Sequence, residues 1–145
     1  MDKGGTLYVP QEKFVPAGRG EGQALRPTHP TVTWPYTNMA DERFTWGEKF
    51  ITLHCGNNPK PAKFGLLNLV GFAAYNLNGQ WFVKHTPYIP NEKYPDCGCN
   101  SEFYTEQGML EIESLSPLYT FDSGETKCNT EIWEFFNEKP EYIKS

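Results

Sequence analysis

Residues 71–86, GFAAYNLNGQWFVKHT, set two apolar runs on either side of Asn78-Gly79. Asparagine and glycine both tolerate positive φ, which a two-residue hairpin turn requires. The stretch therefore predicts strands at 71–76 and 80–86, paired antiparallel. A hairpin of this kind needs further strands beside it to be stable, and the flanking sequence supplies them. Downstream, NSEFYT (100–105), GMLEIESLS (108–116) and TKCNTEIWEFF (126–136) read as strands, with DSGE (122–125) as a turn. PYIPNEKYPDCGC (87–99) reads as a long Pro-rich connection. Upstream, KFITLHC (49–55) reads as a strand and GNNPKPAKFG (56–65) as a loop. Asp41-Glu42-Arg43 predicts a turn or a single helical turn with Asn38 as its N-cap. Residues 1–33, rich in Pro, Gly and Arg over 15–30, show neither strand nor helix periodicity and predict an irregular arm.

Composition agrees with an all-β, antiparallel β-sandwich. Aromatics make up 15% of the 145 residues, and 12 Pro with 13 Gly supply turns. The expected division is an arm over 1–33, a sandwich domain over 34–138 and a C-terminal tail over 139–145. The net charge is −5 and no basic run occurs, so the footprint of a nucleic-acid binder is missing. No apolar run reaches the length of a membrane span. The first 20 residues lack the apolar centre of a signal peptide, so the chain as given reads as cytoplasmic, with an exported parent protein as the alternative.

Chemistry concentrates in residues 94–115, YPDCGCNSEFYTEQGMLEIESL. Cys97 and Cys99 alternate and can point the same way, but a zinc site wants a second close pair, and Cys55 and Cys128 do not form one. Residues two apart on a strand share a face. Glu111 and Glu113 therefore project together, and pairing through the Glu106-Gln107-Gly108 turn brings Glu102 toward them. Crowded carboxylates raise one another's pKa, as a general acid needs, or hold a cation. The same pattern also describes a two-faced strand with glutamates in water. His54 and His85 end two strands, where either a structural or an acid–base role is open. Arg43, Trp46, Trp81 and Lys84, with Tyr88, can line a cleft in which aromatic rings meet a sugar's apolar face and charges meet its hydroxyls.

Several segments taken in order resemble the C-terminal half of a bacterial domain family grouped with the galactose mutarotase-like β-supersandwiches. The likeness lies in Trp34-Pro35-Tyr36, Asp41 with Arg43, Phe82-Val83-Lys84, Tyr94-Pro95-Asp96, Gly98-Cys99 and Glu102. It continues through Leu110-Glu111-Ile112-Glu113, Pro117, Ser123-Gly124-Glu125 and Glu131 with Trp133, spanning residues 30 to 136. Phe44 stands where the family commonly has Trp. Family members are about twice as long, so the resemblance implies half a supersandwich and the option of a homodimer that covers an open sheet face.

The resemblance implies a carbohydrate ligand and, in an aldose epimerase-like version, Glu102 as base with His85 as acid. Arg43, Trp46, Trp81, Lys84, Asp96, Glu111 and Glu113 are the expected ligand-binding residues. No cofactor is expected. The alternatives are a small cupin-like enzyme holding a divalent metal with His54, His85 and Glu102, and a non-catalytic protein-interaction module.

Overall fold

The computed structural model describes residues 1, 4–13 and 30–144. Among these residues ten strands form two antiparallel sheets packed face to face. In chain order they are β1 (Thr6–Pro10), β2 (Thr31–Thr33), β3 (Phe44–Trp46), β4 (Phe50–His54), β5 (Ala62–Leu66), β6 (Phe72–Leu77), β7 (Gln80–His85), β8 (Ser101–Glu106), β9 (Met109–Ser114) and β10 (Ile132–Phe136). The larger sheet runs β10-β7-β6-β1-β4-β3 and the smaller β2-β5-β8-β9. The expected antiparallel sandwich is the architecture observed.

The opening hairpin forms as read. Asn78 and Gly79 take φ of 53° and 85°, and Tyr75 pairs with Phe82 across the ladder. The β8–β9 hairpin closes the same way through Gln107 and Gly108, with φ of 45° and 82°. Glycine removes the Cβ penalty at the second position of each turn.

Alternation then sorts the side chains. Leu7, Val9, Ile51, Leu53, Ala73 and Tyr75 face inward from the large sheet. They meet Phe64, Leu66, Phe103 and Leu110 from the small one. Phe64 and Phe103 are fully buried with ring centroids 5.0 Å apart. Burying side chains of this size contributes about 1.5–3 kcal/mol each. A second apolar layer lies on the outer face of the large sheet: Phe72, Ala74, Trp81 and Val83 are capped by Ile143 of the short helix α1 (Glu141–Lys144). Residues 139–144 of the expected tail thus pack against the sandwich.

Three expectations change, and the turn expected around Asp41 forms. Within the stretch expected to be irregular, Thr6–Pro10 is β1, held between β4 and β6 in the large sheet. Phe14 to His29 lie outside the described residues. The expected loop over 56–65 contains most of β5, in which Ala62, Phe64 and Leu66 face the core and Lys63 faces outward. The expected strand over 126–136 begins only at Ile132, where β7 offers a ladder partner; residues 121–130 are exposed. Around Asp41 the chain makes turns without a helix: Asn38 Oδ1 accepts from the Ala40 amide and Asp41 Oδ1 from the Arg43 amide. No helix among the described residues is long and apolar enough to cross a membrane.

Candidate functional site on the outer face of the small sheet

On β8, Phe103 and Thr105 point into the core, so Glu102, Tyr104 and Glu106 point outward. Glu102 lies opposite Glu113 of β9 and opposite Gly65 of β5. Tyr104 lies opposite Glu111 and Lys63. Glu102, Glu111 and Glu113 therefore share one face, as the strand period predicts. Lys63 completes the group: its Nζ is 2.7 Å from Glu102 Oε2 and 3.0 Å from Glu113 Oε2.

Aromatic rings surround this array. The register of β2 on β5 continues to Trp34, whose ring lies 4.8 Å from the Lys63 ammonium. Tyr36 packs edge-on to Tyr104 at 6.5 Å. Thr37 fastens the segment, its hydroxyl donating to the Lys63 carbonyl at 2.7 Å and accepting from the Lys63 amide at 2.9 Å. Tyr36 stays 45% exposed, so its ring is presented to solvent.

A tight turn covers Glu102. The amides of Gly98 and Cys99 both donate to the Pro95 carbonyl. Asp96, Cys97 and Gly98 take successive positive φ values of 47°, 62° and 100°. Two of the three are not glycine, which stores strain that the surrounding structure must hold. Asn100 supplies that hold: its Oδ1 accepts from the Asn68 amide at 2.6 Å and its Nδ2 donates to the Asn68 carbonyl at 3.0 Å. The turn lays Cys99 across Gly65: a Cβ at Gly65 would stand 2.9 Å from Cys99 Sγ and 3.1 Å from Glu102 Cγ. As a result Glu102 is 2% exposed. Cys97 is exposed and Cys99 buried, so the two thiols do not point the same way.

The electrostatics follow from this packing. Burial pushes the Glu102 carboxyl above the usual carboxylate range; Lys63 opposes that, and the Asp96 carboxylate within hydrogen-bonding reach adds to it. Glu102 Oε1 has no hydrogen-bond partner among the described residues. Burial alone would lower the Lys63 ammonium, but the two glutamates together hold it raised. Burial and then Glu102 push the Cys99 thiol up to about 12, which keeps it an unreactive thiol. The result is a buried carboxyl with a raised pKa, paired with a lysine and close to aromatic rings.

The other expected site residues lie elsewhere. His85 points outward from the large sheet, bonded to Glu134 at 2.6 Å and packed on Phe72 and Tyr142. Glu102 points outward from the small sheet. The hydrophobic core separates them, so they do not form an acid–base pair. Trp81 is buried beside Tyr8 on the same outer face of the large sheet as His85. Lys84 reaches across the interior to the Ile112 carbonyl and pairs with Glu131 at 3.1 Å. Arg43 is 5% exposed and spent on Asp41 and the Lys60 carbonyl. Trp46 stacks on Phe44 at the rim of the core.

The metal triad of His54, His85 and Glu102 is not assembled either. His54 is level with Thr6 and Trp81, three strand spacings (about 14 Å) from β7, and His85 is a further four residues along that strand. Among the described residues no three His, Cys, Asp or Glu stand together as a metal site.

Sequence reasoning missed Lys63, Trp34 and Tyr36 as site residues. The signal for Lys63 was present: Ala-Lys-Phe-Gly-Leu alternates, and the two prolines before it disguised it as loop. No family model, no curated protein and no solved structure matches the chain.

Proposed function

We propose that the protein binds carbohydrate on the outer face of its small sheet. The observation that carries this reading is the meeting, on one face, of the rings of Trp34, Tyr36 and Tyr104 with the Lys63–Glu102–Glu113 array. A sugar ring is apolar on one side and ringed by hydroxyls. Exposed Tyr36 offers the stacking surface, while Glu111, Glu113 and Asp96 accept hydroxyl donors. Binding is favoured over epimerisation, because epimerisation needs two proton-transfer groups flanking one carbon and His85 lies across the core from Glu102. A sugar-processing version would require another partner for Glu102.

A glycan array of the full chain, followed by a mutarotation assay, tests the proposal. Selective binding is expected for at least one sugar class. Tyr36→Ala should weaken it about tenfold or more without lowering Tm by more than a few degrees, since the ring is half exposed. Absence of binding across neutral, acidic and amino sugars would sink the reading.

A further inference from the structure

The charges around this face are one-sided. The charged groups acting on the Tyr36 hydroxyl are Lys63, Glu113, Glu102 and Glu111. Glu106 is bonded to the Tyr104 hydroxyl at 2.8 Å, and Asp96 lies beside Glu102. Among the described residues, five carboxyl groups thus face one ammonium, and that ammonium is already committed to two of them. An acidic sugar brought here would meet uncompensated repulsion.

Asp96 and Glu102 sharpen the point. Two carboxyl groups in hydrogen-bonding reach need a positive group between them, whether a proton or the donor of a cation. Glu102 Oε1 is buried and has no hydrogen-bond partner among the described residues. Asp96 itself is exposed at the tip of the turn, so its carboxylate can swing outward. A ligand ammonium has three N–H donors and can bridge the two carboxyls once Asp96 swings outward. Tyr36 and Trp34 add ring faces, which attract cations as well as sugar faces.

We infer that the ligand class of this face is amino sugars bearing a free ammonium, such as glucosamine oligomers, with Asp96 and Glu102 receiving the ammonium. The inference rests on the carbohydrate reading above and adds the charge of the ligand. Binding favours the ionised form of Glu102, whose carboxyl burial pushes up, so complex formation releases a proton wherever Glu102 is protonated in the free protein. Affinity rises with pH as that proton becomes easier to remove, until the ligand's own amine loses its charge.

Calorimetric titration of the full chain tests this, with four probes: a deacetylated glucosamine oligomer, its N-acetylated counterpart, a neutral glucose oligomer and a uronate oligomer. The glucosamine oligomer should bind about tenfold tighter than the acetylated one, and the uronate should not bind. Repeating the titration in buffers of different ionisation enthalpy should show net proton release. Asp96→Asn keeps a side chain that tolerates left-handed backbone. It should bring the glucosamine oligomer down to the acetylated level and weaken the neutral oligomer far less. Equal binding of acetylated and deacetylated oligomers, or an unaffected Asp96→Asn variant, would overturn the amino-sugar inference while leaving the carbohydrate reading in place. Failure of all four probes overturns both.

Discussion

Glu102 carries most of the chemistry at the scale of single residues. It occupies an outward strand position, where a glutamate ordinarily meets water, yet it is 2% exposed because a turn closes over it. The strand period was legible in the sequence and placed Glu102, Glu111 and Glu113 on one face. The burial was not, because it depends on a turn packing over a glycine of another strand. Burial and Asp96 raise its pKa above the ordinary 4.5. A carboxyl raised in the folded state stabilises the fold fully below its unfolded pKa and loses that contribution as pH rises through the folded value. Glu102→Gln cannot ionise and does not lose it. Thermal melts across pH should show the difference in Tm, variant minus wild type, increasing upward from pH 4.5. A pH-independent difference would show that Glu102 does not hold its proton in the fold.

At the scale of elements, the turn over 95–99 and β5 act together. The sequence marked Tyr94-Pro95-Asp96 and Cys97-Gly98-Cys99 as a connection but gave no sign of what the turn covers. Gly65 is the residue that lets it close. Its backbone is not in the left-handed region, so alanine there meets a steric cost alone. Gly65→Ala should destabilise the protein by about 1–3 kcal/mol, read from denaturant midpoints, and should make Cys99 more reactive toward a thiol reagent as the turn lifts. Unchanged stability and thiol protection would mean that the turn does not depend on close approach at Gly65. β5 itself escaped recognition because Pro59 and Pro61 precede it and only five residues form it. Such short strands are specified by their neighbours, here β2 and β8, more than by their own pattern.

For the whole molecule, the sequence disclosed the class of fold before its completeness. The Asn-Gly hairpin, the alternating β8 and β9, and the density of turns led to an antiparallel sandwich. β1 was hidden because its five residues, ending in Pro10, sit between Gly5 and a Gly- and Pro-rich stretch, yet it pairs on both sides in the large sheet. The site could not be read in full for a related reason: which outward face a residue belongs to depends on sheet membership. His85 and Glu102 are each outward-facing on neighbouring segments of sequence, but they belong to different sheets and so to opposite surfaces.

The central claim is that the outer face of the small sheet is the ligand face. An amide-resolved NMR titration of the labelled full chain with a glucosamine oligomer tests it most directly. The account predicts shift changes clustered at Tyr36, Lys63, Tyr104, Glu111, Glu113 and the turn bearing Asp96. Changes centred on β7 and β10 around Trp81, His85 and Trp133, or no changes at saturating sugar, would contradict it.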